Sequence, residues 1–306
     1  MLSYFGRRVL VAIPTLIGIV AVVFFAVRLI PGDPALNLAS DNATEADIAA
    51  IRQKLGLDQP IIVQFVIYVG QVFTGEFGAS IMSGAPVLEE ITHRMPVTLT
   101  LALAASAIGV VVGVSMGLLA ARKPGGVVDG IVSSIAISGL SIPVFWLGLV
   151  LVLLFSVTLQ LLPSGYDSSA ASFVLPVMAM SFFPVGLIAR VTRSSLSSVL
   201  SQDYVRTARA KGASAGRIVV AHALRNASVS IITVAGMLLG ALLGGAVMTE
   251  TVFSMPGLGR LLVTSILNRD YPVLQGVVIV LASMYLFVTL LVDVTYGLID
   301  PRVRND

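Results

Sequence analysis

No cysteine occurs anywhere in the chain, so a disulfide framework and a thiolate metal site are both excluded. Charge is the second scarcity. Asp, Glu, Lys and Arg make up 11% of the residues against 57% hydrophobic, and the mean hydropathy is +0.98. A soluble domain carries about a quarter charged residues, so these side chains are too few to cover a surface facing water. The sequence is that of a membrane protein, and its length reads as one bundle of several spans (1–306, a single transmembrane domain) rather than two soluble domains.

Several signatures of chemistry are missing as well. No G-x-x-x-x-G-K-[ST] is present, which excludes a phosphate loop for ATP. There is no H-E-x-x-H, and the two histidines, His93 and His222, fall on opposite sides of the membrane in the topology below. A histidine metal cluster within one chain is excluded. Gly212 to Gly216 spells G-x-S-x-G, but that nucleophile turn needs a strand before it, a helix after it and histidine and acid partners. Here it separates two basic, helix-prone segments. No catalytic residue, no metal and no cofactor bound by this chain are expected.

What is present are apolar runs. A helix of about 20 apolar residues crosses a roughly 30 Å hydrocarbon layer, and six runs qualify: Val9–Ile30, Val97–Ala121, one within Val127–Leu159, Phe173–Val191, Val229–Thr249 and Val273–Leu298. The first follows Arg7 and Arg8 like a signal peptide, but exceeds the usual apolar length of one and is expected to stay as an anchor. With the N-terminus in the cytoplasm, thirteen of the nineteen Lys and Arg residues fall on the cytoplasmic side, as the positive-inside rule demands. Both termini and the segment 194–227 are then cytoplasmic, and 31–96 lies outside.

The outer segment carries its own signals. Thr44-Glu45-Ala46-Asp47 resembles a capping box opening a helix that runs to Gly56, and Pro60 suits the start of a second helix over Ile61–Phe73, lying at the outer interface or against the bundle. The third run is too long for one straight crossing. Pro143 cannot donate to the Gly139 carbonyl, so the helix should kink or break there, with an inner piece before it and the main crossing after it. Glycines recur every four residues in two spans: Gly109, Gly113 and Gly117 in the second, Gly236, Gly240 and Gly244 in the fifth. Small residues at that spacing let helix backbones approach closely. Packing within the chain accounts for both ladders, and contact with a second membrane subunit or a path accounts for the fifth-span one. Charges inside spans carry a functional default, and two are expected there. Asp293 stands near the inner end of the last span, with Arg190 or Arg193 as the expected salt-bridge partner. Glu250 closes the fifth span at the outer face, beside Phe253, Pro256 and Gly257, as an interfacial residue or as an outer gate or partner contact.

The stretch DYVRTARAKGASAGRIVVAHALRNA, Asp203 to Ala227, holds five basic residues and one acid in an otherwise apolar neighbourhood. Tyr204–Gly212 allows two to three helical turns, Gly212 breaks them, and Ala215–Asn226 reads as a second helix. Lipid attraction needs the charge alone; it does not need alanines on one face or a glycine hinge. The stretch resembles the EAA loop of permease subunits in ATP-binding-cassette (ABC) importers, the loop that docks into the ATPase. Ala208, Gly212 and Leu224 match its general form E-A-A-x3-G-x9-I-x-L-P, while Arg206 stands at the Glu and Thr207 at the first Ala. The wording is similar to the dipeptide/oligopeptide permease branch, as are IPTLIGI…RLIPGDP (Ile13–Pro34), TETVFSMPGLGRLL (Thr249–Leu262) and DYPVLQG…LVDVTYGLIDPRVR (Asp270–Arg304).

The resemblance implies an all-α integral membrane protein with six spans in a type I ABC importer permease fold, a short cytosolic coupling helix and a helical outer segment. It implies a coupling surface formed by Tyr204, Arg206, Thr207, Ala208, Arg209, Lys211, Gly212 and Leu224. Implied partners are a second, similar permease in a heterodimer, two ABC ATPases that hold ATP and Mg, an extracytoplasmic solute-binding protein and membrane lipid, with no nucleic acid. The implied location is the bacterial cytoplasmic membrane, and the implied cargo is a short peptide. The branch also serves nickel, glutathione and haem. An ion-coupled secondary transporter would instead favour midplane acids and repeat symmetry, neither of which the sequence shows.

The topology is open to a direct test, because the chain lacks cysteine. Single cysteines at Ser40, Ser198 and Asn305 should divide, with Ser40→Cys labelled by an impermeant thiol reagent in intact cells and the other two protected. The reverse pattern overturns the orientation.

Overall fold

The computed structural model describes residues 2–29, 44–54, 56, 58–212, 214, 216 and 224–299. Within them the chain is built of helices: α1 (Leu2–Leu29), α2 (Glu45–Lys54), α3 (Ile61–Thr74), α4 (Val87–Arg122), α5 (Val127–Ser141), α6 (Val144–Leu151, continued by a π-helical turn over Val152–Thr158), α7 (Val174–Leu200), α8 (Asp203–Ala210), α9 (Arg225–Val252), α10 (Leu258–Leu267) and α11 (Tyr271–Ile299). Five of these are long and apolar enough to cross a membrane, and the α5–α6 pair supplies a sixth span that is bent by 106°. Large apolar side chains such as Val22, Val111, Leu153 and Phe287 stand exposed on its outer faces. That would be costly in water and is the natural condition of a lipid-facing surface.

α7 is the centre of the bundle. It packs most extensively on α4 and also against α5, α6 and α9. The α4–α7 contact is set by the first glycine ladder. Gly109, Gly113 and Gly117 are buried and face Pro184, Ile188 and Thr192 of α7, which repeat at the same spacing of four. A methyl group added at Gly113 would stand 2.9 Å from Ile188 Cβ, and one at Gly117 would meet the Ala189 carbonyl oxygen at 2.7 Å. α5 crosses α7 by the same device: a side chain at Gly139 would strike the Phe182 carbonyl at 2.7 Å, and one at Gly186 the Ala136 carbonyl at 2.8 Å.

The break in the third run falls where proline requires it. Ile142 is extended (φ −86°, ψ 121°), its N–H still reaching the Ser138 carbonyl, and α6 starts directly after Pro143. The outer segment also follows its local signals. Thr44 and Asp47 cap α2 reciprocally, with the Thr44 N–H on Asp47 Oδ2 at 2.9 Å and the Asp47 N–H on Thr44 Oγ1 at 3.3 Å, and Gly56 takes φ +65° beyond its end. α3 lies along α1, where Arg28 donates to Gln64 Oε1 at 2.9 and 3.2 Å and Phe24 and Phe25 meet Phe65 at 5.3 and 5.7 Å. α3 has no buried residue; it covers α1 rather than entering the core.

The two ladders make a quantitative contrast. Gly117 faces backbone and Thr192, whereas nothing lies within 4 Å of a Cβ placed at Gly244. Gly117→Val should therefore lower stability by on the order of 1–3 kcal/mol through overpacking, while Gly244→Val stays within about 0.5 kcal/mol of the parent. Thermal unfolding of the detergent-purified chain reads both, and equal losses would contradict the packing described.

Candidate functional site

Two regions carry the residues that the sequence singles out. At the end of the bundle that bears Arg122 and the last turn of α7, α8 forms over Asp203–Ala210, close to the turns expected from Tyr204 onward. It is short, and contacts to the bundle hold it. Val205 is buried at 1% exposure, and Asn226 Nδ2, in the first turn of α9, donates to the Tyr204 hydroxyl at 2.7 Å. Thr207 closes on the Asp203 carbonyl at 3.0 Å, and Lys211 N–H on the Thr207 carbonyl at 3.0 Å. Gly212 then takes φ +82° with open space around its Cβ position. The left-handed conformation stops the helix, so any side chain there would be strained by the backbone, not by crowding among the described residues. Arg206, Ala208 and Arg209 lie in α8, and Lys211 is exposed beyond it. Leu224 leads into α9 and packs partly buried against the cluster that contains Leu196, Val199 and Ala227. The second helix expected over Ala215–Asn226 falls largely on 215 and 217–223, outside the described residues; α9 itself starts at Arg225.

At the other end the structure corrects the sequence. Glu250 is fully buried within the protein, as are Phe253 and Gly257, with Pro256 half-buried, so it offers no exposed carboxylate for a partner contact. Its carboxylate accepts the Thr98 hydroxyl of α4 at 2.6 Å on one oxygen and the Arg260 N–H at 2.9 Å on the other, while Thr98 Oγ1 accepts the Leu258 N–H at 2.8 Å. These N–H groups are orphan donors of the first turn of α10. A carboxylate at a helix N-terminus satisfies them and complements the helix dipole. The glycines around it are there for closeness. A Cβ at Gly257 would collide with the Glu250 carboxylate, and one at Gly259 would stand 2.9 Å from the Val247 nitrogen. Phe253 packs on Gly148 of α6, and its carbonyl accepts the Tyr166 N–H at 3.2 Å. Glu250 therefore welds α4, α9 and α10 together.

A second knot of the same kind ties the outer loop to the bundle. Asp270, 4% exposed, accepts the Ser80 hydroxyl at 2.5 Å and the Ile81 N–H at 3.2 Å. Sequence reading missed it, as it missed Asp129, a third acid within the apolar runs. Asp129 is 4% exposed, pairs with Arg193 of α7 (Nη2 to Oδ2 at 2.7 Å, with Nε on Oδ1) and accepts the Gly125 N–H at 2.8 Å. Its signal was local: an acid in the first turn of a helix that follows a Gly-Gly turn. Arg193 is thus taken by Asp129, and Asp293 pairs instead with Arg8 of α1 at 3.0 Å, a correction to the partner expected. The fifth-span ladder divides. Gly236 and Gly240 receive Val292 and Tyr285 of α11, whereas Gly244 is open. Among the described residues no three His, Asp or Glu side chains converge as a metal site would require.

The arrangement is a short basic helix at one end of the bundle and a hydrogen-bonded junction at the other. Comparison with known proteins agrees on its kind. Residues 109–305 match the family of binding-protein-dependent transport system inner membrane components, and residues 1–102 match the N-terminal part of such membrane components. A probable peptide ABC transporter permease of Sinorhizobium fredii is 43% identical over 98% of this chain and 99% of its own length. A putative peptide transport system permease of Brucella abortus is 44% identical over 98% of both chains. The dipeptide transport system permease DppB of Escherichia coli K12 is 38% identical over 100% of this chain and 99% of its own. Among solved structures, inward-facing MetNI methionine ABC transporter contains a chain matched with a TM-score of 0.58 at 21% identity, over 69% of this chain and 96% of that one; it shares the all-helical fold of type I ABC importer permeases. The chain belongs to the binding-protein-dependent transport system inner membrane component family, as a permease of its peptide/dipeptide ABC importer branch.

Proposed function

We propose that this chain is one of two similar membrane halves of an ATP-driven importer for short peptides, which an extracytoplasmic binding protein delivers. The observation that carries the reading is α8: a basic helix of eight residues, fixed to the bundle through Val205 and the Tyr204–Asn226 hydrogen bond and released at its far end by Gly212. A short rigid helix can fill a groove on another protein and move as a lever, which is what a membrane subunit needs if ATP is hydrolysed elsewhere. No phosphate loop occurs in the sequence, so ATP and Mg belong to two separate ATPase subunits, and this chain is the non-catalytic part. The peptide and dipeptide names of the relatives at 38–44% identity support peptide as cargo over nickel, glutathione or haem. The basic side lies in the cytoplasm, with both termini, and the outer loops face the binding protein.

Gly212→Val tests the lever. The substitution forces a β-branched residue toward φ > 0, which costs on the order of 1–3 kcal/mol, without displacing a neighbour among the described residues. The variant should insert and pair with its partner permease, yet lose uptake or release the ATPase, and the chain purified alone should hydrolyse no ATP above a mock preparation. Charge reversal at Arg206, Arg209 and Lys211 should weaken any lipid attraction that Gly212→Val leaves intact. Normal uptake, ATPase rate and ATPase co-purification in a stably inserted Gly212→Val complex would remove the coupling role.

A further inference from the structure

We propose that α3 is embedded in lipid, in the leaflet at the end of the bundle where α1 stops, with Ile62, Val66, Ile67 and Phe73 among the acyl chains. This placement depends on the spanning fold and not on the cargo. Its amphipathic pattern is reversed from that of a helix lying on a protein in water, which turns its apolar stripe inward and its polar side out. In α3 the inward side carries the polar groups. Gln64 and Tyr68 are half-buried and face α1, where Gln64 accepts from Arg28 at 2.9 and 3.2 Å and the Tyr68 ring lies 5.5 Å from that of Phe24. The outward side is apolar: among the described residues Ile62 is 71% exposed, Val66 64% and Phe73 57%. In water, turning the helix over would bury the isoleucines and wet the glutamine, and both changes would be favourable. Lipid reverses the preference, since polar side chains at membrane depth are then driven toward the protein.

The surroundings point to the same occupant. Val22, Phe25 and Leu29 form one exposed face of α1, at the spacing of three and four that aligns side chains on a helix, and Phe25 stacks on Phe65 of α3. The outward side of α3 therefore continues a surface of α1 that already meets lipid. No charged residue occurs between Asp58 and Glu76. By contrast α2, in the same outer segment, carries four charged residues among ten, Glu45, Asp47, Arg52 and Lys54. The polar groups that do face outward in α3 suit an apolar medium or stand at its edge. The Thr74 hydroxyl donates back to the Gly70 and Gln71 carbonyls at 3.3 and 3.0 Å, and Gln71 begins the last turn. With 14 residues α3 reaches about 21 Å, short of the roughly 30 Å hydrocarbon layer. The charges that bracket it keep both ends near water, so it is a one-leaflet helix with its apolar side sunk about 5–10 Å into the boundary. The outer segment is thereby divided: α2 is left to whatever approaches through water, and α3 is withheld from it.

The absence of native cysteine makes the test direct. The full chain, assembled with its partner subunits in vesicles of phosphatidylethanolamine and phosphatidylglycerol, carries a nitroxide on a single cysteine at Ile62→Cys, Val66→Cys or Phe73→Cys. Val111→Cys, on an exposed apolar face of α4, supplies the lipid reference, and Glu45→Cys, in the first turn of α2, the water reference. Labels at 62, 66 and 73 should collide severalfold more often with dissolved oxygen than with a water-soluble nickel chelate, as at 111 but at a shallower depth. The label at 45 should show the reverse. The three outward side chains are exposed, so the substitutions should not disturb assembly, and any one variant that assembles is decisive. Dominant collision with the nickel chelate would place the face in water and overturn the assignment. Collision with neither would mean that protein covers it, either a partner subunit or another part of this chain, and would overturn it equally.

Discussion

Everything in this bundle depends on how closely α4 and α7 approach. Three glycines on one helix receive Pro184, Ile188 and Thr192 of the other, and the matching interval of four keeps the contact in register over two full turns. In lipid, apolar surface gains nothing by leaving its surroundings, so helices associate where their backbones come near enough for dense van der Waals contact. Those positions admit no larger residue. With α4 on one side and the Gly139–Gly186 crossing on another, α7 is fixed at the centre.

Much of this could be read from the sequence, for reasons that vary with the element. The long spans announce themselves because solvent and helix length together force about twenty apolar residues in a row. The break at Pro143, the cap at Thr44 and the left-handed Gly212 are local, each fixed by residues within four positions of it. The buried acids were harder. Thr98 and Glu250 are 152 positions apart, and Ser80 and Asp270 are 190 apart, so neither pairing leaves a periodic trace. A carboxylate at the end of an apolar run looks interfacial until the chain is seen to fold back as α10 and bury it. Asp293 pairs with Arg8 of α1 rather than with Arg190 or Arg193, and Arg193 is taken by Asp129.

The two ends of the molecule are built differently. At the end that carries α10, hydrogen bonds to Glu250 and Asp270 join α4, α9, α10, the loop near Ser80 and the start of α11 into one block. At the other end, α8 is held among the described residues by contacts that include buried Val205 and the Tyr204–Asn226 hydrogen bond, and it runs into Gly212, whose Cβ position is open among the described residues. Force applied at α8 therefore reaches a body that resists it at the far side and yields near the point of application. This is the mechanical asymmetry of a lever with a clamped end.

The bend at Pro143 also bears on how the chain is made. α5 has 15 residues and reaches about 22 Å, short of the roughly 30 Å hydrocarbon layer. The backbone at the break leaves the Gly139 carbonyl without its helical donor, a state that lipid does not tolerate unless protein or water covers it. On this turn α5 packs against α7, whose Phe182 and Gly186 meet it at Gly139 and Ala136. α7 is synthesised after both halves of the bent span. The third span therefore leaves the ribosome before its backing exists and must wait, straight or at the membrane surface, until the fourth arrives. Pro143 in its own sequence sets where the span breaks, and the helix it packs against there is made later.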